Sequence, residues 1–209
     1  MKLVLENLRK ETFMKKLELL SPVGDFDCLK SAIQNGADSV YFGSTLFNAR
    51  ASANNFDINT LKQAIEYCKL RNVKTNLTLN TLIKNDELND AINLAKSAYK
   101  FGIDAIIVQD LGLAKFLIKH IPDLPIHAST QMSIHNLEGV LAMQDLGFKR
   151  VVLSRELSTD EIEYICKNSQ IEIEAFVHGS LCISYSGQCL ASSMIGGRSR
   201  KSWKMCSTL

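Results

Sequence analysis

Short continuous apolar runs alternate along this chain with longer stretches in which apolar residues recur at three- and four-residue spacing. These are the signatures of buried strands and of amphipathic helices. The runs fall at residues 17–20, 36–43, 73–79, 102–110, 125–128, 147–156 and 171–177. Helical spacing covers Phe26 to about Asn35, with Leu29, Ala32 and Ile33 on one face, and then about 59–70, 87–101, 111–120, 137–146 and 159–167. Gly36, Gly102 and Gly147 each follow a helical stretch and precede a run. A glycine there suits the left-handed residue that ends a helix. Asp160 and Glu161 favour the positive end of the last helix.

Seven strand–helix alternations predict a parallel α/β fold, because strands joined through helices run the same way and are covered on both faces. The repeat count points to a TIM-type (β/α) barrel rather than an open sheet. Such a barrel typically takes about 250 residues. At 209 residues the chain is expected to form an incomplete barrel, short by roughly one unit and with two unpaired strand edges. Residues 1–13 mix Lys2, Glu6, Arg9, Lys10 and Glu11 with isolated apolar positions. They are expected to stand outside the fold as an N-terminal extension, with Met14 the start of a barrel domain over residues 14–200.

Composition is that of a globular protein able to bury a core, with 46% hydrophobic and 22% charged residues. A net charge of +2 gives no global argument for nucleic acid or membrane, so any polyanion site must be local. No apolar run nears the roughly 18–20 residues needed to cross a bilayer, and residues 1–13 lack a signal-peptide core. A cytoplasmic location is expected. There, six cysteines are metal ligands, catalytic groups or buried apolar residues before they are disulfides. Cys28, Cys68 and Cys166 sit inside helical patterns and are expected in the core.

In barrels of this kind the chemistry sits just beyond the C-terminal ends of the strands. Those positions hold Ser21, Pro22, Gly43, Asn80, Gln109, Asp110, residues 129–131 and 154–156, and His178 to Ser180. The set is polar and mixed in charge, without the repeated Asp, Glu and His of a hydrolytic metal site. His-Glu-x-x-His, Gly-x-Ser-x-Gly, Walker and dinucleotide fingerprints are all absent from the sequence. Arg50, in a polar loop after the second strand, is a candidate for gripping a carboxylate or phosphate as a planar fork. The densest stretch follows the last strand, where His178, Gly179 and Ser180 lead into Cys182 and Cys189. The two cysteines admit three readings: inert thiols, a nucleophile activated by His178, or two ligands of an iron–sulfur cluster. A cluster normally takes four thiolates, and Cys206 is the one further candidate in reach of this segment.

At these residues the sequence resembles the peptidase U32 family, whose members include collagenase-like proteases and tRNA or ribosomal RNA hydroxylation proteins. The resemblance is carried by Glu174, Phe176, Gly179, Ser180, Leu181, Cys182, Ser186, Gly187, Cys189 and Ser192 in that spacing. It extends to Glu18 through Gly24, Gly36 through Gly43, Phe47 through Ala51, Thr78 through Thr81 and Ala128 through Ser133. It implies a barrel with a four-cysteine iron–sulfur cluster of the 4Fe–4S type, with Cys182 and Cys189 as its first two ligands. It further implies prephenate as the oxygen source and a base in RNA, tRNA foremost, or a quinone precursor as the acceptor. On that footing His178 and Arg155 are the catalytic candidates, and Arg50, Asn80 and Gln131 the substrate-binding ones. A peptidase using Cys182 or Cys189 with His178, an inactive fragment, and closure of the barrel by a partner subunit are the other expectations. From Lys201 the sequence departs from the family pattern, as a shift of reading frame near codon 200 would produce, so residues 201–209 are expected to be an aberrant tail.

Overall fold

The computed structural model describes residues 2–5, 17–49, 55–179 and 182–189. Among them eight strands close into a barrel in chain order: β1 (Lys2–Leu5), β2 (Glu18–Pro22), β3 (Ser39–Gly43), β4 (Lys74–Leu79), β5 (Ala105–Val108), β6 (Ile126–Ala128), β7 (Arg150–Val152) and β8 (Glu172–Phe176). Six helices link β2 to β8: α1 (Phe26–Gln34), α2 (Ile58–Lys69), α3 (Leu88–Phe101), α4 (Leu111–His120), α5 (Leu137–Asp145) and α6 (Thr159–Asn168). The seven strands β2 to β8 pair in parallel with their sequence neighbours, as the alternation predicted.

The expected open seam is not observed. Lys2–Leu5 runs antiparallel between β2 and β8, with Lys2 opposite both Leu20 and Phe176, so both edges are paired. This corrects the reading of residues 1–13 as wholly outside the fold. The physical reason is that a four-residue strand is held by backbone bonds to its two neighbours. Local periodicity carries no record of such bonds.

Helix ends are built as the sequence indicated. Gly36, Gly102 and Gly147 hold φ of +87°, +84° and +94°, the left-handed conformation that releases the chain from a helix into the next strand. At the opposite ends, Asp25, Asp57, Asp110, Asn136 and Ser158 accept from backbone N–H groups of the first turn, and Ser158 forms a capping box with Glu161. Each cap follows a βα loop, so the loops at the C-terminal face of the barrel are tied to the helices they feed.

Strand alternation separates two interiors. Val40, Phe42, Leu77, Leu79, Ile106, Val108, Ile126, Val151 and Ile173 face outward and merge with helix residues such as Leu29, Leu61, Ile65, Leu113 and Leu117 into one apolar core. Inside the barrel, among the described residues, Leu20, Tyr41 and Ile107 form a small apolar cluster. Polar side chains share that space: Asn76 donates to the Val40 carbonyl at 3.1 Å and Thr78 to that of Phe42 at 3.1 Å.

The N-terminal end of the barrel is closed by charge. Arg150, with its side chain 4% exposed, meets Glu172 at 2.7 Å, Glu18 at 3.2 Å and Glu174 at 3.5 Å. Lys74 adds a second cation 3.1 Å from Glu18, and Ser39 donates to Glu18 at 2.7 Å. Burial pushes the Glu18 carboxyl up, but the Arg150 guanidinium and these hydrogen bonds outweigh it and hold the group below its ordinary range. With this end plugged, access is left to the opposite face.

Cys68 and Cys166 are buried as expected, and Cys28 is not. In α1 the buried position is Leu29. One residue earlier the helix has turned by about 100°, which carries Cys28 to solvent. Burial raises the Cys68 thiol to about 12 and Cys166 above its usual value, so neither is a nucleophile at neutral pH. No helix among the described residues is long and apolar enough to cross a membrane.

Candidate functional site

Two adjoining cavities occupy the C-terminal face. The first, of about 130 Å³, opens from the barrel interior and is lined among others by Tyr41, Asn48, Thr78, Asn80, Gln131 and Phe176. The second, of about 220 Å³, lies under the loop after β8 and is lined among others by Glu156, Cys182, Ser184, Tyr185, Gly187 and Cys189. Thr130, Gln131 and Arg155 line both and form a common wall.

Each wall residue is placed by the strand that precedes it. Arg155 follows β7, and its guanidinium lies over the Phe176 ring at 4.4 Å, a planar cation on an aromatic face at the end of β8. Gln131 sits in a single 3₁₀ turn after β6 (Thr130–Met132), whose N-cap Ser129 accepts from the Gln131 N–H at 3.2 Å. The Gln131 carbonyl accepts from the Gln109 side chain at 3.3 Å, linking the loops after β5 and β6. Asn80, after β4, accepts from the Ala49 N–H at 3.2 Å and so anchors the loop after β3.

The structure thus brings together Asn80, Gln131, Arg155, Cys182 and Cys189. Cys182 is exposed and Cys189 half-buried on the second cavity. His178 is exposed just beyond β8 and lines neither cavity. Arg50 lies outside the described residues, next to Ala49, which lines the first cavity. Ser180 and Cys206 also lie outside them.

Sequence reasoning missed His135 and Ser133. His135 donates from Nδ1 to the Ser133 carbonyl at 2.7 Å and faces Glu156 from Nε2 at 3.2 Å. The side chain of Tyr185 meets the imidazole edge-on at 6.0 Å between centroids. The available signal was weak, because His135 stands seven residues past the end of β6 and outside the strand-end positions. Ser133 itself holds a left-handed φ of +59° without being glycine, a conformation that clusters where structure is shaped for a purpose.

An iron–sulfur cluster as a rule takes four thiolates. The described residues bring two, Cys182 and Cys189, to one cavity wall, which fits half of such a ligand set. Among the described residues no group of three or more His, Cys, Asp or Glu side chains is arranged to hold a metal ion.

Fold and site define a (β/α) barrel whose open face carries a paired-thiol cavity. The chain belongs to peptidase family U32, whose sequence profile matches residues 24–207. It is 41% identical over 184 residues to the 23S rRNA 5-hydroxycytidine C2501 synthase of Escherichia coli, covering 88% of this chain and 28% of the relative. It is 39% identical to the tRNA hydroxylation protein P of the same organism, covering 88% and 41%, and 37% identical to a collagenase of Porphyromonas gingivalis, covering 84% and 44%. The chain therefore spans less than half the length of these relatives. A U32 peptidase of known structure superposes with a TM-score of 0.62 at 15% identity, over 79% of this chain and 72% of that one, which supports the shared fold.

Proposed function

We propose that this chain is the barrel portion of an enzyme that hydroxylates a base in RNA, a uridine of tRNA foremost, using an iron–sulfur cluster and prephenate as the oxygen source. The observation that carries the reading is the common wall. Thr130, Gln131 and Arg155 separate a pocket fit for a small polar molecule from a cavity bearing two cysteines. Relatives named for tRNA and 23S rRNA hydroxylation, at 39% and 41% identity, support RNA as the acceptor.

Cys182 and Cys189 would hold the cluster as two of its thiolate ligands, and Cys206 is the one cysteine of this sequence outside the described residues that could join them. A cluster so held supplies an iron site for redox chemistry beside the wall. The protein's own groups bind and orient. Arg155 presents a two-donor fork suited to one carboxylate of a dicarboxylic acid such as prephenate, and its stacking on Phe176 fixes the plane of that fork. Asn80, its Oδ1 committed to Ala49, offers its NH₂ group to the same pocket. Tyr41 and Phe176 keep water from the inner wall. Tyr185, 67% exposed at the rim of the second cavity, offers a face on which an unstacked base can lie.

A thiol peptidase needs an imidazole within reach of its nucleophile. His178 lines neither cavity, and both ring nitrogens of His135 already face oxygen atoms.

Anaerobic reconstitution with iron and sulfide, followed by incubation with unmodified tRNA and prephenate, tests the reading. Sulfide-to-iron absorption that Cys182→Ser and Cys189→Ser abolish, with the mass gain of one oxygen on a uridine, is the expected result. A protein that stays colourless and leaves every nucleoside mass unchanged refutes it.

A further inference from the structure

The loop over residues 182–189 carries both cysteines of the second cavity, yet it has little apolar anchorage. Ile183 is 95% exposed and Tyr185 67%. What seats it is polar and centres on Ser186, the one buried residue among those eight. The Ser186 N–H donates to Glu156 Oε1 at 2.8 Å, and its hydroxyl donates to the same oxygen at 3.1 Å. Its carbonyl accepts from the Ser133 hydroxyl at 2.6 Å, and its Oγ accepts from the Arg155 N–H at 3.2 Å. Every hydrogen-bonding group of Ser186 is thus engaged with the loops after β6 and β7.

The contacts close into a ring. Glu156 Oε2 lies 3.2 Å from His135 Nε2, and His135 Nδ1 donates to the carbonyl of Ser133, the residue whose hydroxyl holds Ser186. Gln188 adds a bond from its side chain to Ser133 Oγ at 3.0 Å. Gly187 lets the loop lie this close: its φ is +77°, and a Cβ there would sit 2.4 Å from the Gln131 carbonyl oxygen. Burial pushes the Glu156 carboxyl up, but the Ser186 N–H and hydroxyl, with His135 nearby, outweigh it and keep the group below its ordinary range. An ionised acceptor makes both Ser186 bonds charge-assisted.

We propose that Glu156 is a positioning residue for the cysteine loop. With Ser133 and His135 it forms a latch on Ser186, between Cys182 and Cys189 in sequence, that turns both thiols to the cavity wall shared with Arg155. That the latch serves a metal cluster rests on the function proposed above, whereas the latch itself rests only on these contacts.

Hydrogen–deuterium exchange on the full chain, read residue by residue over 182–189, tests it, with iron bound after anaerobic reconstitution as a second readout. Losing a hydrogen bond to a charged acceptor corresponds to about ten- to hundred-fold in an opening equilibrium. Glu156→Ala should therefore speed exchange of the Ser186 amide by about that factor, while α2 and α6 exchange as before. Glu156→Gln keeps an acceptor oxygen and should restore most of the protection. Iron bound per chain should fall with Glu156→Ala and recover with Glu156→Gln. If Glu156→Ala loosens the whole barrel, Ser133→Ala, which deletes the bond to the Ser186 carbonyl, gives the same readout from the other side of the ring. Unchanged exchange over 182–189 in a folded Glu156→Ala or Ser133→Ala protein overturns the latch. Faster exchange in the variants supports the latch even where the wild-type protein takes up no iron, and that second result refutes the cluster reading alone.

Discussion

Replacing Arg150 by methionine keeps most of the side chain's length and removes its charge. In the wild-type protein three carboxylates converge on that guanidinium, at 2.7, 3.2 and 3.5 Å. They differ in how much water can do for them: the Glu174 side chain is 0% exposed, Glu18 10% and Glu172 40%. Glu172 can turn to solvent, so its share is at most about 1 kcal/mol. Glu174 cannot, and stripping a buried ion pair of one partner costs about 3–5 kcal/mol. In a domain of this size about 2–4 °C of melting temperature accompanies each kcal/mol, so Arg150→Met should melt about 6–20 °C lower at pH 7.

The pH dependence identifies the cause. The Glu18 carboxyl of the folded protein lies below its ordinary value of 4.5, so its contribution is present above that pH and lost as pH falls through the folded value. Without Arg150, only Ser39 and Lys74 are left to oppose burial at Glu18, so its carboxyl rises from the wild-type position and takes up a proton sooner on acidification, which relieves the charge the variant leaves there. The gap between wild type and variant should then narrow below about pH 4.5. Adding Glu174→Gln to Arg150→Met should recover part of the loss at pH 7. Melting curves by differential scanning fluorimetry at pH 7 and pH 4 decide it. A loss below about 3 °C at neutral pH, or a gap of equal size at both, refutes the electrostatic account.

Three further outcomes follow from the geometry. A chain beginning at Met14 lacks β1 and leaves β2 and β8 with unpaired edges, so it should melt lower and associate on size-exclusion chromatography; an unchanged monomer would sink the closing role of Lys2–Leu5. Gly187→Ala forces a left-handed alanine at φ +77° against the Gln131 carbonyl, a strain of about 1–2 kcal/mol; iron uptake should fall sharply while the melting temperature moves by a few degrees at most, and undiminished uptake refutes the close fit. Thiol titration of the native protein at pH 8 should label exposed Cys28 and Cys182 quickly and leave Cys68, raised to about 12, unlabelled until unfolding; prompt labelling of Cys68 contradicts its burial.

Much of the architecture is local in origin and could be read along the chain. Glycines 36, 102 and 147 mark helix ends because only a residue without a Cβ holds φ near +90° cheaply, and the chain adopts that conformation at all three. Continuous runs such as Ala105–Val108 are buried throughout, as a strand covered on both faces requires. The strand-end rule brought Asn80, Gln131 and Arg155 to the two cavities, since barrel geometry fixes where such positions lie.

What the sequence determined by itself is therefore the seven parallel strands, the six helices and the face on which the cavities open, because each follows from a period or a cap within a dozen residues. Only the tertiary structure decided which residues meet across that face. Ser133 and Ser186 are 53 positions apart and Glu18 and Arg150 are 132, and their contacts exist because the barrel closes. Closure itself belongs to β1, whose antiparallel place between β2 and β8 is set by backbone bonds to strands far along the chain. His178 fell outside both cavities for a related reason. The direction of a side chain is fixed by the packing around it, and residue type and spacing do not contain that packing.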